Sequence, residues 1–86
     1  MTVYVDQPLY KYGRMIMCHM AADTLEELHA MADQVGVARR WFQDKPRFQH
    51  YDICKSKRAM AVASGAVEVT PREMVEIARR LRDDRR

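Results

Sequence analysis

Side chains that could bind an anion or transfer a proton are concentrated between residues 39 and 52 of this 86-residue chain. Among them are two adjacent guanidinium groups, an indole, an imidazole, a phenol and a carboxylate, those of Arg39, Arg40, Trp41, His50, Tyr51 and Asp52. Such groups are costly to bury, so a segment that serves only the core rarely contains this mixture. Residues 39–58 carry seven Lys or Arg against two Asp, a net charge of +5. We therefore predict an anionic ligand that carries phosphate.

Arginine is well suited to bidentate contact with phosphate, and two arginines are adjacent here. Residues 37–43 are predicted as a strand, in which Arg39 and Arg40 would point to opposite faces. One would then face a ligand and the other solvent or an acidic helix. Trp41 could stack on a base, although a single Trp in a strand more commonly belongs to a core. With Tyr51 and Lys57, these residues are predicted to contact the ligand.

A second group of candidates follows from the ends of the first two predicted strands. Asp6 ends the first strand and His19 lies at the end of the second, and ligands commonly bind at the carboxyl ends of strands in open α/β sheets. We predict that Asp6 and His19, with Asp23 nearby, line a pocket. The alternative is that His19 is a hydrogen-bonded core residue and Asp23 a helix-start residue.

His50 and Asp52 straddle Tyr51 and would face the same way in an extended segment. They could form an acid–base pair or act as metal ligands. Alternatively, Asp52 caps the next helix and His50 is a loop residue. The chain lacks the spaced Cys/His set that zinc prefers, so we predict no metal site and no cofactor. If the protein is an enzyme, its predicted catalytic residues are His19, His50 and Asp52.

The elements that must position these residues follow from hydrophobic periodicity and capping signals. Strands are predicted at residues 2–6, 15–20, 37–43 and 66–69, with loops at 7–13 and 44–49. Capping boxes at Thr24–Glu27 and Thr70–Glu73 begin two helices, of which the first ends at Gly36. A short helix starts near Asp52 or Ser56 and ends at Ser64. The order ββαβαβα predicts a small α/β domain with a mixed, largely parallel sheet.

Size and charge limit the range of functions. We expect one domain over residues 1–78, followed by an Arg-rich helix end and tail at 79–86. The tail carries the whole net charge of +3 and residues 1–78 are neutral, so nucleic acid is a less favoured partner. No apolar run reaches the roughly 20 residues of a membrane span, and no signal peptide is recognisable, so we expect a cytoplasmic protein without a membrane partner. A thin core favours a homo-oligomer.

Three further residues have structural interpretations. Cys18 and Cys54 are too few and too differently placed for a disulfide framework, so both are predicted to be reduced packing residues. His29 lies four residues after Leu25, close to the apolar face of the first helix, and is predicted to be a partly buried, hydrogen-bonded histidine.

Several short runs match the pattern of one family. They are Val3–Asp6, Gly13–Met20, Ala22–Asp23, Glu27–Ala32, Gly36–Trp41, His50–Ile53, and Ser56–Arg58 through Gly65–Val67. On these residues the chain resembles the family called domain of unknown function 4031, and the Trp41 segment with the His-Tyr-Asp triplet is the most specific part. The resemblance implies a small protein of bacteria or their phages and brings no established activity. Lys45, Pro46 and Arg47 look inserted relative to the family.

The leading functional expectation is a non-catalytic binder of a small phosphate-containing, nucleotide-like molecule. In a bacterium infected by phage, such a protein could sequester a host signal. One alternative is a small metal-dependent or histidine-based hydrolase or phosphodiesterase. Another is a module that binds nucleic acid or protein through the Arg-rich tail.

Overall fold

In the part of the chain that the structure describes, three α-helices pack against one six-stranded sheet. The structure, a computed structural model, describes residues 2–7 and 10–84. In chain order the elements are β1 Val3–Val5, β2 Tyr10–Tyr12, β3 Met15–Ala22, α1 Leu25–Val35, a 3-10 helix at Arg39–Trp41, β4 Phe42–Lys45, β5 Phe48–Cys54, α2 Lys55–Ala63, β6 Val67–Glu68 and α3 Pro71–Asp84. The prediction of a small α/β domain with a mixed sheet is confirmed.

The predicted element order ββαβαβα and the largely parallel character of the sheet are not confirmed. Strands are arranged β4-β5-β3-β1-β6, and β2 pairs with the first part of β3. Among the described strand pairs only β1 and β6 are parallel. The alternation of helices and strands predicts parallel neighbours when one strand lies between successive helices. Here a hairpin lies between α1 and α2, and its second arm, β5, is the strand beside β3.

That hairpin replaces the predicted strand 37–43 and loop 44–49. Arg39–Trp41 form a short 3-10 helix, β4 begins only at Phe42, and Pro46 and Arg47 form the turn into β5. Most of β4 is polar because it is an edge strand, and its exposed side chains show no apolar alternation. Tyr10–Tyr12, predicted as loop, pair with β3 through a two-residue turn in which Gly13 has a φ of 60°. Residues 8 and 9 of that predicted loop lie outside the described part.

The main core lies between one face of the sheet and helices α1 and α2. Val5, Met20 and Tyr51, from three strands, meet Leu28 of α1, and each of these residues has 0% of its surface exposed. The other face is covered by α3 over a smaller cluster, in which Ala21, Val69, Met74 and Leu81 are buried beside Tyr4, Phe48 and Ile77. Side chains alternate along a strand, so every second residue from Met15 to His19 faces this second side. Helix α3 covers only part of that side, and these side chains are therefore partly exposed.

The predicted caps hold both long helices in place. Thr24 Oγ1 accepts a hydrogen bond from the amide of Glu27, and Gly36 ends α1 with a φ of 79°. Thr70 and Glu73 bond reciprocally at the start of α3, as a capping box requires. Helix α3 continues through the predicted tail to Asp84, and residues 85 and 86 lie outside the described part.

Three further expectations concern membrane spans, the cysteines and oligomeric assembly. Among residues 2–7 and 10–84, no helix combines the length and apolar character that a membrane crossing needs. Both cysteines are free thiols. The homo-oligomer stays a prediction.

Candidate functional site

Three polar side chains form a row across neighbouring strands on the face that α3 leaves partly open. Asp6 follows β1, and its amide donates to the carbonyl of His19 in β3 at 3.2 Å. His19 is in turn the register partner of Asp52 in β5. Paired residues of adjacent strands project to the same face, so His19 lies between two carboxylates. Strand pairing therefore brings together residues that lie far apart in the sequence.

Asp6 holds His19 through both of its carboxylate oxygens. Oδ1 accepts from the backbone amide of His19 at 2.7 Å, and Oδ2 lies 2.8 Å from the ring atom Nδ1. Asp6 is only 1% exposed. Its backbone carbonyl accepts from Nε of Arg58 at 2.6 Å, which anchors the end of β1 to α2. The imidazole is thus fixed in orientation, and its Nε2 points toward Asp52.

His50 enters the cluster from the same strand as Asp52, two residues earlier. Its Nδ1 lies 2.9 Å from the carbonyl oxygen of Phe48, and the Phe48 ring stacks on the imidazole with centroids 4.2 Å apart. Nε2 faces Asp52 Oδ1 at 3.3 Å. The prediction that His50 and Asp52 face the same way is consistent with this placement.

Two imidazole nitrogens converge on one carboxylate oxygen. Asp52 Oδ1 lies 3.3 Å from Nε2 of His50 and 3.8 Å from Nε2 of His19. One ligand atom from each of the three residues can be chosen so that all lie within 4.8 Å of one another. Oδ1 is shielded from solvent and has no hydrogen-bond partner among residues 2–7 and 10–84. We call His19, His50 and Asp52 the triad.

The two histidines differ in electrostatic environment. The hydrogen bond to Asp6 raises the pKa of His19, against the opposing effect of burial. Burial lowers the pKa of His50, which is only partly offset by the Phe48 carbonyl and by Asp52. His50 therefore favours the neutral imidazole more strongly than His19 does.

A pocket of about 620 Å³ adjoins the triad at Asp52. Its wall is apolar at Tyr12, Met15, Met17 and Trp41, and it carries the cationic side chains of Arg40 and Lys57. Strand β4 pairs with β5 only as far as Phe42 opposite Tyr51, so residues 52–54 of β5 lie beyond that pairing, where they line the pocket. A second pocket, of about 430 Å³ between Pro46–Gln49 and α3, contains none of the predicted site residues.

The other predicted site residues lie partly on the two faces of the sheet and partly at its edge. Arg39 does not alternate with Arg40 on a strand as predicted, because both lie in the 3-10 helix, and Arg39 pairs with Asp33 at 2.9 Å. Trp41 is 54% exposed beneath the guanidinium of Arg40. Tyr51 lies in the main core on the opposite face.

Two structural interpretations concern residues outside the triad. His29 is bonded to the Tyr51 hydroxyl at 2.7 Å, in agreement with its predicted role. Asp23 lies away from the triad and binds the amide of Thr2, the hydroxyl of Tyr4 and Arg80.

Two residues near the triad were missed by the sequence interpretation. Phe48 was assigned to a loop, yet its ring and carbonyl both hold His50. Cys54 was interpreted as a packing residue, yet it lines the pocket beside Asp52. The alternation His50, Asp52, Cys54 was the available signal, once the segment is recognised as a strand.

The two cysteines are expected to differ in their reactions with thiol reagents. Burial raises the pKa of Cys18 to about 12, whereas the hydrogen bond with Ser56 lowers the pKa of Cys54 below its ordinary value. Thiolate is the reactive form, so iodoacetamide at about pH 8 should alkylate Cys54 alone. The rate should rise with pH, with a midpoint below that of an ordinary cysteine. Peptide mass spectrometry would locate the adduct, and comparable alkylation of Cys18 in the folded protein would contradict this assignment.

Comparison with known proteins assigns a family without an activity. The model of the family described as "Protein of unknown function (DUF4031)" matches residues 3–81. Neither the curated proteins nor the solved structures give a significant match. The match spans nearly the whole domain, from β1 into α3, and so includes every residue of the triad. The chain therefore belongs to the DUF4031 family.

Proposed function

We propose that this protein binds a small phosphate-bearing molecule of nucleotide size in the pocket beside Asp52. The observation that carries the proposal is that Arg40 and Lys57 both line a pocket of about 620 Å³ whose remaining wall is largely apolar. Ligand pockets of this size commonly combine an apolar lining with a few charged groups that fix orientation. The cations would hold phosphate, and the exposed ring of Trp41 offers a flat surface for a base.

Arg40 is better placed than Arg39 to bind the ligand. The Arg39 guanidinium makes a bidentate contact with Asp33, at 3.3 and 2.9 Å, and so already has its anionic partner. Among the ion pairs of the described residues, Arg40 takes part in none, and its guanidinium lies over the Trp41 ring at 5.3 Å. The Lys57 ammonium lies near Gly36, 3.2 Å from where a Cβ atom would be. Both cations therefore remain available to an anion.

Replacement of Arg40 or Lys57 by Gln should weaken ligand binding by roughly 10- to 100-fold, because each change removes a charge-assisted contact worth about 1.5–3 kcal/mol. Titration calorimetry with inorganic phosphate and a panel of nucleoside mono- and triphosphates would measure the loss. Arg39→Gln is the matched control, since it removes the same charge one residue away and outside the pocket lining. The proposal fails if the wild-type protein binds no member of the panel, or if Arg39→Gln weakens binding as much as Arg40→Gln.

Hydrolysis of the bound ligand is a second candidate, favoured by the triad, which adjoins the same pocket through Asp52. Two oriented imidazoles and a carboxylate are the groups that phosphate-ester hydrolysis commonly uses. Phosphorus NMR on the same ligands, with and without added divalent metal, separates the two candidates. New phosphate resonances that disappear in His50→Gln would identify a hydrolase. Unchanged ligand would leave a binding protein, for which sequestration of a cellular signal is the natural role.

A further inference from the structure

We propose that His19, His50 and Asp52 bind one divalent transition-metal ion, of the class that includes Zn²⁺. This site adjoins the phosphate pocket at Asp52, but it needs no phosphate ligand to bind the ion. It rests on the distances within the triad, on the hydrogen bonds that hold its rings and on the environment of one carboxylate oxygen.

The distances within the triad already approach those of a coordination sphere. An ion bound tetrahedrally at bond lengths near 2.0–2.1 Å places its ligand atoms roughly 3.4 Å apart. Asp52 Oδ1 is 3.3 Å from Nε2 of His50 and 3.8 Å from Nε2 of His19. All three ligand atoms fall within 4.8 Å. Small side-chain adjustments are therefore enough to accept an ion.

The hydrogen bond between His50 Nδ1 and the Phe48 carbonyl sets the tautomer of the ring, so the nitrogen that faces Asp52 carries a lone pair. A backbone carbonyl only accepts, so Nδ1, at 2.9 Å from the Phe48 carbonyl oxygen, carries the hydrogen. In the neutral ring, Nε2 then presents its lone pair to Asp52 Oδ1, which is itself an acceptor. Two acceptors that face each other at 3.3 Å are stabilised by a cation between them. Oδ1 is also a buried atom that has no hydrogen-bond partner among the described residues.

His19 is held in the same way by a different group. Asp6 accepts from its Nδ1 at 2.8 Å, which turns Nε2 toward Asp52. A ring nitrogen bonded to a carboxylate or a backbone carbonyl, with the opposite nitrogen on the ion, is the usual arrangement around metal-binding histidines. Both histidines of the triad have such an outer partner, one of each kind. A surface histidine that binds no ion needs neither a carboxylate nor a carbonyl partner.

The donor set selects the class of ion. Two imidazole nitrogens favour zinc, cobalt, nickel or iron(II), whereas magnesium and calcium prefer oxygen ligands alone. Three protein ligands also leave a coordination position for an exchangeable group, as catalytic zinc sites do. Asp52 belongs to both the triad and the pocket wall, so the ion would lie at the edge of the pocket.

The proposal departs from the expectation drawn from the sequence, which was of no metal site. That expectation relied on the absence of a local Cys/His spacing. The triad is assembled instead by the register of β3 against β5, which places His19 opposite Asp52 across 33 positions of sequence. Sequence spacing does not reveal such a pairing until both strands have been assigned.

The test uses the untagged full chain, freed of metal with a chelator, and Zn²⁺ or Co²⁺ alone as the probe. Calorimetry should give one ion per chain, and Co²⁺ should produce visible absorption bands. His19→Gln, His50→Gln and Asp52→Asn should each weaken binding by more than the roughly 10- to 100-fold that loss of an outer partner costs. His29→Gln is the matched control, because it removes the third histidine of the chain, which is bonded to Tyr51 instead, and should leave binding unchanged.

A readout on the wild-type protein keeps the proposal testable if a variant fails to fold. Co²⁺ should shift the ring resonances of His19 and His50 much more than those of His29. Absence of stoichiometric binding would overturn the proposal. So would equal binding by the triad variants, or competition by Mg²⁺ at equal concentration. Because no phosphate ligand is present, none of these outcomes bears on the phosphate pocket.

Discussion

Asp6→Asn should leave the protein folded and weaken metal binding at the triad by roughly 10- to 100-fold. The Asp6 carboxylate accepts two hydrogen bonds from His19, one from the amide and one from the ring. An amide side chain has only one oxygen, so Asn that keeps the backbone contact turns its NH₂ group toward the ring. His19 then accepts at Nδ1, and its hydrogen moves to Nε2, where the ion should bind. Calorimetry with Zn²⁺, beside a circular dichroism spectrum, would measure both effects.

Asp23→Asn provides the matched control for that substitution. Asp23 also accepts a backbone amide, from Thr2, together with the Tyr4 hydroxyl, and these partners lie outside the triad. The Asp23→Asn substitution should lower the free energy of unfolding and leave the metal affinity unchanged. If Asp6→Asn binds Zn²⁺ as tightly as the wild type, Asp6 does not set the tautomer of His19. The metal site would then have to stand on the geometry of the triad alone.

Leu28→Ala should produce the largest loss of stability among single substitutions in α1. Leu28 has 0% of its surface exposed and lies in the main core. Leu→Ala changes at such sites cost about 3 kcal/mol, through lost burial and the remaining cavity. For a domain of this length that corresponds to a fall in Tm of roughly 12–24 °C. Urea unfolding followed by circular dichroism would give the change in free energy.

Val75→Ala is the surface comparison, since Val75 on α3 is 60% exposed. That change should stay within about 0.5 kcal/mol of the wild type. Similar losses for the two variants would mean that Leu28 is not part of a well-packed core. They would also place in doubt the position of α1 against the face of the sheet opposite the triad.

Local signals identified the helices correctly. Thr24 with Glu27, Thr70 with Glu73, and Gly36 are short-range patterns whose contacts form within one turn, so the sequence displays them directly. Strand pairing depends on distant partners and was predicted less well. Residues 44–49, which contain the turn of the hairpin, are mostly polar and include Pro46, and both features usually argue against a strand, so the sequence predicts a loop there.

The site was predicted only in part, because it also depends on how distant strands pair. Asp6, His19, His50 and Asp52 were all chosen as candidates from residue type and position, and the structure brings them together. Their arrangement depends on the register of three strands, which residue type does not reveal. Arg39 and Arg40 looked equivalent in the sequence, and only the position of Asp33 distinguishes them. Tyr51 has polar neighbours in the sequence, yet its own side chain lies in the main core, which only the strand assignment reveals.

The interior is divided into two clusters of unequal size, and this affects which part of the molecule unfolds locally. Helix α3 rests on the smaller cluster and can therefore detach at a lower free energy than the main core needs to unfold. Phe48 belongs to that smaller cluster and also stacks on the His50 ring. Each transient detachment of α3 would loosen one wall of the triad while leaving the sheet intact. The rate at which the triad releases a bound ligand should therefore depend on transient detachment of a helix that contributes no residue to the triad.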